Sequence, residues 1–283
     1  MEWVERLNQS ISYIEEHLTE EIDYAQLGKI ACCSSYHYQR MFTYMAGCTL
    51  AEYIRRRRMS LAAVDLQSSQ AKIIDVAEKY GYSSPTAFNR AFQSVHGLAP
   101  SAVKNAGVQV QHYPPLHFQI AVKGAEKLEY RIESKPAFRI LGLSAPLQQD
   151  LAENFAVVPQ LWQQAVEQAA LPRLLALMDG QPQGVLGVSA CNDAEQWQYY
   201  IAVASNQPAE NWAEYQVPAF TWAIFSGQGA CPQAIQELEQ RVVTEWLPTS
   251  GYEYDNGPDV EVYLNPDPSQ AQFEVWIPVK FVG

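Results

Sequence analysis

Trp3, Leu7, Ile11, Ile14 and Leu18 recur at three- and four-residue steps, while Glu2, Glu5, Glu15 and Glu16 occupy the other face, so the chain opens with an amphipathic helix. Helical periodicity continues to about residue 105. From about Val108 the rhythm changes to short runs rich in Val, Ile, Tyr, Phe and Trp, separated by clusters of Gly, Pro, Asn and Asp. Strands are predicted at 139–142, 184–189, 199–204, 221–225, 260–264 and 273–279. Helical patterns at 154–170 and 231–247 interrupt them. The pattern predicts a multidomain chain: an all-α domain over 1–107, a hinge over 108–116 containing Pro114-Pro115, and an α+β domain over 117–283.

The helical part repeats itself at an offset of fifty residues. Ser34 matches Ser84, Tyr38 matches Phe88, Arg40 matches Arg90, Phe42 matches Phe92 and Gly47 matches Gly97. Each copy reads as a short helix, a tight turn and a longer helix opened by serine. Ser84 suits the cap, Pro85 the first helical position, and Gly81 a turn needing positive φ. Between the copies, 49–67 reads as a connecting helix carrying Arg55-Arg56-Arg57-Arg58. A rigid connector can hold two recognition helices about 34 Å apart, the spacing of successive major grooves. Of the four arginines, Arg55 and Arg57 are the candidates for phosphate contact, and a solvated charge run is the alternative.

Several separated motifs then agree in order. Tyr36-His37-Tyr38-Gln39-Arg40-Met41-Phe42, Tyr53-Ile54-Arg55-Arg56-Arg57-Arg58-Met59, Ala77-Glu78-Lys79-Tyr80-Gly81-Tyr82, Phe88-Asn89-Arg90-Ala91-Phe92 and Gly97-Leu98-Ala99-Pro100-Ser101 resemble AraC-family DNA-binding domains. The resemblance implies two helix-turn-helix units and a sequence-specific transcription regulator that binds double-stranded DNA. It places base-reading positions on Tyr36, Gln39 and Arg40 in the first unit, and on Thr86, Ala87 and Arg90 in the second, with Asn89 a further DNA-binding candidate. Arginine suits guanine O6/N7 and glutamine suits adenine; Ala87 offers only apolar contact. Two positions depart from the family pattern, Gly28 in place of an Ala-like residue and Tyr38 in place of Leu, and both are expected to loosen the first unit.

Charge sharpens the division. The net charge is −12, yet residues 24–107 carry ten Lys/Arg against four Asp/Glu, whereas 111–283 carry eight against twenty. Attraction to phosphate depends on the local patch, so the basic block fits DNA and the acidic block something else. Five cysteines without CxxC spacing argue against a disulfide framework or a zinc site. No signal-like or membrane-spanning run is visible, and no metal or cofactor motif. The expected location is the cytoplasm, with no membrane partner.

In the acidic half, carboxylates alternate with aromatics. Glu261 and Tyr263 share one strand face, and Glu274 and Trp276 share another. A carboxylate beside aromatic walls suits a lipophilic cation; an ordinary solvated strand edge is the alternative. Lys135-Pro136-Ala137-Phe138-Arg139-Ile140-Leu141-Gly142, Trp246-Leu247-Pro248, Ser250-Gly251-Tyr252-Glu253, 260–264 and 273–279 resemble GyrI-like effector-binding domains. That resemblance implies two similar strand-and-helix halves forming a cleft, with a small-molecule effector held by acidic residues that include Glu261 and Glu274. Tyr263, on the strand face of Glu261, is a further effector-binding candidate, and Trp197, Tyr199, Trp222 and Trp276 are wall candidates. Two other readings compete: hydrolysis of the ligand by Tyr263 and Glu274, and binding of a protein partner through the acidic surface. No catalytic constellation is assigned, and RNA polymerase is a further partner open to such a regulator.

Overall fold

The structure, a computed structural model, describes residues 3–68, 71–105, 107–119, 127–148, 151–192, 196–208, 211–265 and 267–282. It divides into two compact units, 1–120 and 121–283, each with its own core.

The first unit contains α1 (Trp3–Glu16), α2 (Tyr24–Ile30), α3 (Ser35–Ala46), α4 (Leu50–Ser68), α5 (Ile73–Lys79) and α6 (Pro85–His96), closed by a 3-10 turn at Ala102–Lys104. The fifty-residue repeat is above all a repeat of helix ends. Ser34 and Ser84 cap α3 and α6, their hydroxyls accepting from His37 N–H and Ala87 N–H. Gly47 and Gly97 end the same helices at φ 68° and 72°, where a Cβ costs energy. Gly81, at φ 82°, turns α5 into α6. The apolar stripes then bury Leu7, Ile11, Ile14 and Leu18 of α1, Met41 and Phe42 of α3, and Phe88 and Phe92 of α6.

Gly28 and Tyr38 tighten the first unit, against the expectation that they loosen it. A Cβ on Gly28 would sit 2.7 Å from the Cys33 carbonyl oxygen and 2.8 Å from Ser35 N, so glycine lets the α2–α3 turn fold back onto α2. Tyr38 is fully buried, and its hydroxyl shares a 2.8 Å hydrogen bond with Ser10 of α1. A leucine there would fill the space without that link.

The connecting helix α4 has 19 residues, about 28 Å at 1.5 Å per residue. Its arginines are mostly structural. Arg57 is buried and gives Nε and Nη2 to Glu15 of α1 (2.9 and 2.6 Å) and Nη1 to the Tyr113 carbonyl. Arg58 reaches the carbonyls of Leu18 (2.9 Å) and Glu20 (2.6 Å) just past the end of α1. Arg56 pairs with Glu52 and lies over the Tyr113 ring. Arg55 pairs with the same Glu52, and its side chain alone of the four stays about half exposed.

Residues 108–116 are not a free hinge. Gln111 N–H donates to His96 Nδ1 (3.2 Å), Tyr113 N–H to Ser60 Oγ (3.0 Å) and Leu116 N–H to the Tyr53 hydroxyl (3.2 Å). Phe118 exchanges two bonds with the Asn8 carboxamide (2.8 and 3.0 Å), and its ring meets Phe42 edge-on. Groups on α1, α4 and α6 thus supply the partners that an extended backbone needs, and hold the strap along the helices. Residues 117–119 accordingly fall in the first unit, although the second domain is expected to begin at 117.

The second unit contains β1 (Tyr130–Lys135), β2 (Phe138–Pro146), α7 (Leu151–Glu167), α8 (Ala170–Leu177), β3 (Val185–Cys191), β4 (Trp197–Ala204), β5 (Ala213–Val217), β6 (Phe220–Gly229), α9 (Gln233–Arg241), β7 (Tyr252–Tyr254), β8 (Asp259–Tyr263) and β9 (Ala271–Phe281). A π-helical turn (Val242–Trp246) and a 3-10 turn (Leu247–Thr249) extend α9. The sheet order is β1-β6-β9-β8-β3-β4-β2-β5, with β7 on β9 and every pair antiparallel. This order is symmetric about the β8–β3 pair: β6, β9 and β8 mirror β2, β4 and β3, so the unit is a duplication. The halves also exchange strands, since β1 pairs with β6 and β5 with β2. Four elements escape the sequence pattern: the polar strand β1, the short β5 and β7, and α8.

The two sheet faces differ. On one, Tyr263 packs on Trp162 of α7 (5.1 Å) and Phe225 on Trp246 (5.1 Å), and the missing Cβ of Gly227 admits Phe273 beside Leu238 of α9. On the other, Trp222, Ile224, Val260, Val262 and Trp276 join Leu186, Val188 and Tyr200 in a core.

Candidate functional site

The two recognition helices present their expected residues differently. On α6, Phe88 and Phe92 point into the core, and Thr86, Ala87, Asn89 and Arg90 are exposed. Arg90 makes no ion pair among the described residues, so its guanidinium is available to a base edge or phosphate. On α3, Arg40 is half-buried with its guanidinium 5.9 Å from the rings of both Tyr36 and Tyr44. Tyr36 and Gln39 are buried, so each can reach a base only in a conformation that uncovers it. Arg57, expected at phosphate, is instead buried against Glu15. Its guanidinium is occupied by a carboxylate and a carbonyl, and α4 turns it inward where Arg55 points outward.

The expected effector residues do not form one cluster. In the β8–β9 register, Glu261 faces Val275 across the ladder and Val262 faces Glu274. Cross-strand partners share a face, so the two glutamates lie on opposite faces of the sheet. Glu261, Tyr263 and Tyr199 are on the helix-covered face; Glu274 and Trp276 are on the other. The Tyr263–Glu274 pair considered for hydrolysis is therefore split by the sheet. Trp222 is fully buried in the core beside Trp276 and cannot line an open wall. Trp197, half-buried, shares the strand face of Tyr199 on β4.

What the fold does bring together is a network centred on Glu261. The Tyr199 hydroxyl donates to Glu261 Oε2 at 3.0 Å, and the Tyr263 hydroxyl donates to the same oxygen at 2.8 Å. Trp162 of α7 donates its indole N–H to the Tyr199 hydroxyl at 3.1 Å. Burial first, and the nearby Glu261 charge second, push both phenols well above their ordinary pKa, so they stay protonated donors. Glu261 lies opposite Gly187 of β3, at the pseudo-symmetry axis. A Cβ on Gly187 would fall 2.4 Å from the Tyr199 hydroxyl and 2.5 Å from Glu261 Oε2, so only glycine leaves room for the network. Gly187 carries no expectation from the sequence, and Trp162, an aromatic expected within the cleft, is not among the expected effector residues. A glycine within a strand run is a signal of close approach, but it does not say of what.

A tandem helix-turn-helix unit followed by a duplicated strand-and-helix unit with an aromatic-walled carboxylate defines a DNA-binding protein with an appended effector-binding domain. Residues 131–279 match the family model described as Cass2, integron-associated effector binding protein, and residues 27–106 match a helix-turn-helix domain model. The chain belongs to the integron-associated effector-binding family and carries an AraC-type helix-turn-helix domain ahead of it. Among curated relatives, it is 37% identical over 91 residues to the regulatory protein SoxS of Salmonella typhimurium, covering 32% of this chain and 85% of SoxS. It is 33% identical over 104 residues to the HTH-type transcriptional regulator YbfP of Bacillus subtilis. That match covers 37% of this chain and about a third (35%) of YbfP's length. Among solved structures, SAV2435 bound to tetraphenylphosphonium is similar at 21% identity and a TM-score of 0.47, over 54% of this chain and 94% of that one. Among the described residues, no helix is long and apolar enough to cross a membrane.

Proposed function

We propose that this chain is a transcription regulator of the cytoplasm whose grip on its operator is set by a lipophilic cation bound at Glu261. The observation that carries the reading is the Glu261 network. A partly buried carboxylate is oriented by two tyrosine hydroxyls, and the Trp162 indole donates to one of those tyrosines and packs on the ring of the other. Those rings offer a cation π-faces, and the carboxylate offers a charge partner away from bulk water. On the DNA side, Arg90, Asn89, Thr86 and Ala87 of α6 read one major groove. Arg40 of α3, with Tyr36 and Gln39 once uncovered, reads the next. Arg55 supplies a phosphate contact, and action on transcription runs through RNA polymerase.

Titration of the full chain with tetraphenylphosphonium, followed by tryptophan fluorescence, tests the effector half. Saturable binding weakened at least tenfold by Glu261→Gln is expected, together with a change in operator affinity when the cation is present. A ligand shifts DNA binding only by its differential affinity for two states. Binding that leaves operator affinity unchanged refutes the coupling, and binding indifferent to Glu261→Gln refutes the site.

A further inference from the structure

We propose that residues 110–118 form a splint that fixes the spacing of the recognition helices α3 and α6. Asn8, Ser60 and the Pro114-Pro115 pair are then positioning residues that set which separation of DNA half-sites the chain accepts. The inference rests on both helices reading DNA, and not on the effector site.

The two ends of the strap are held by different helix-turn-helix units. At its start, Gln111 N–H donates to His96 Nδ1 of α6 (3.2 Å), and Val110 and Tyr113 pack against the core that carries Phe88 and Phe92. At its end, Phe118 N–H donates to the Asn8 carboxamide oxygen of α1 (2.8 Å), and the Asn8 Nδ2 donates back to the Phe118 carbonyl (3.0 Å). The Phe118 ring is buried and meets Phe42 of α3 edge-on at 6.0 Å. Between these ends the strap follows α4 toward its N-terminus: Tyr113 is held by Ser60 and Arg57, and Leu116 by Tyr53. A single carboxylate of α1 orders two of these anchors. Glu15 accepts from the Arg57 guanidinium and from the Tyr53 hydroxyl, both at 2.6 Å.

One helix alone is a weak spacer, because long helices curve and each unit can rock on the end it grips. A second member fastened at both ends and along its middle resists that bending. Pro114-Pro115 suits the stretch between the anchors at 113 and 116. Each proline fixes φ near about −65°, and neither brings an N–H that needs a partner. Rigidity matters because two recognition helices read successive grooves only in phase. One extra base pair between the half-sites displaces the second by about 3.4 Å and turns it by about 35°. A splinted pair then loses contacts in one groove, whereas a pair free to rock follows the DNA.

The test uses the full chain and an operator that it selects from random duplexes, rebuilt with one base pair inserted between the half-sites. Fluorescence anisotropy gives the ratio of the two affinities. Wild type should favour the selected spacing on the order of a hundredfold, the loss of about two base contacts. Pro114→Gly combined with Pro115→Gly keeps every anchor but softens the strap, while Asn8→Ala and Ser60→Ala each release one anchor. Each should lower the ratio about fivefold, the worth of about one hydrogen bond. Asn8→Asp still accepts from Phe118 N–H and should fall between Asn8→Ala and wild type. Partial unfolding weakens binding to both duplexes equally and leaves the ratio unmoved, so the ratio reads positioning alone. A selective wild type with the same ratio, or a higher one, in the variants overturns the splint. A wild type indifferent to the insertion overturns it together with the reading of DNA by both helices.

Discussion

Arg57→Met separates a structural arginine from a DNA-contacting one. The guanidinium is buried, with Nε and Nη2 donating to Glu15 and Nη1 to the Tyr113 carbonyl, so removing it leaves the carboxylate with the Tyr53 hydroxyl in place of a charge partner and frees the Tyr113 carbonyl. Breaking one partner of a buried ion pair costs about 3–5 kcal/mol. Glu15 keeps 20% of its side chain exposed, so water can recover part of that loss, and the lower end, about 3 kcal/mol, is the expected cost. For a unit of this size each kcal/mol lowers the midpoint by about 4 °C, giving a drop of about 12 °C. Thermal unfolding followed by circular dichroism at 222 nm reads chiefly the helical first unit. Glu15→Leu combined with Arg57→Met should recover most of the loss, because an apolar pair of similar volume replaces a buried ion pair at little cost. In parallel, the slope of log affinity for DNA against log salt should stay unchanged, since this arginine neutralises no phosphate. A slope shallower by about 0.9, with the midpoint unmoved, would refute the reasoning and return Arg57 to the DNA.

Three further outcomes follow from other parts of the molecule. Arg90→Ala should weaken operator binding by about 1–3 kcal/mol and relax preference at one base pair, measured by competition against single-base operator variants; uniform weakening across all variants would make Arg90 a phosphate contact instead. His96 has its pKa lowered by burial, against a hydrogen bond to the Met59 carbonyl, and its Nδ1 accepts from Gln111 N–H. The unfolded chain therefore binds the proton first, so stability is full above about pH 6.5 and declines as pH falls through that value toward the folded pKa. Urea midpoints at pH 7.5 and 5.5 should differ more in the wild type than in His96→Gln, and equal differences would count against the strap contact. Gly187→Ala pushes a Cβ against the Tyr199 hydroxyl and Glu261, and should cost about 1–3 kcal/mol of stability and most cation binding; a variant that binds normally would show the network to be dispensable.

The sequence by itself determined much of the local structure. Ser34 and Ser84, Gly47 and Gly97, and the heptad-like stripes of α1 and α6 act through bonds and contacts a few residues away, so the helix-turn-helix duplication was legible from spacing alone. Strand alternation likewise gave Glu261 the same face as Tyr263, and Glu274 the same face as Trp276. What alternation cannot give is the parity between two strands. A one-residue change in register moves an entire set to the other face, and only the β8–β9 ladder shows that the two carboxylates are separated. The arginine run has the same difficulty in helical form. Successive residues turn about 100° apart, so one of the four must face inward, but which one is decided by Glu15, some forty residues earlier, and by the strap returning at Tyr113. Trp162 and Gly187 entered the site for the same reason: their roles lie in what a distant strand or helix places within hydrogen-bond reach, which no local pattern encodes.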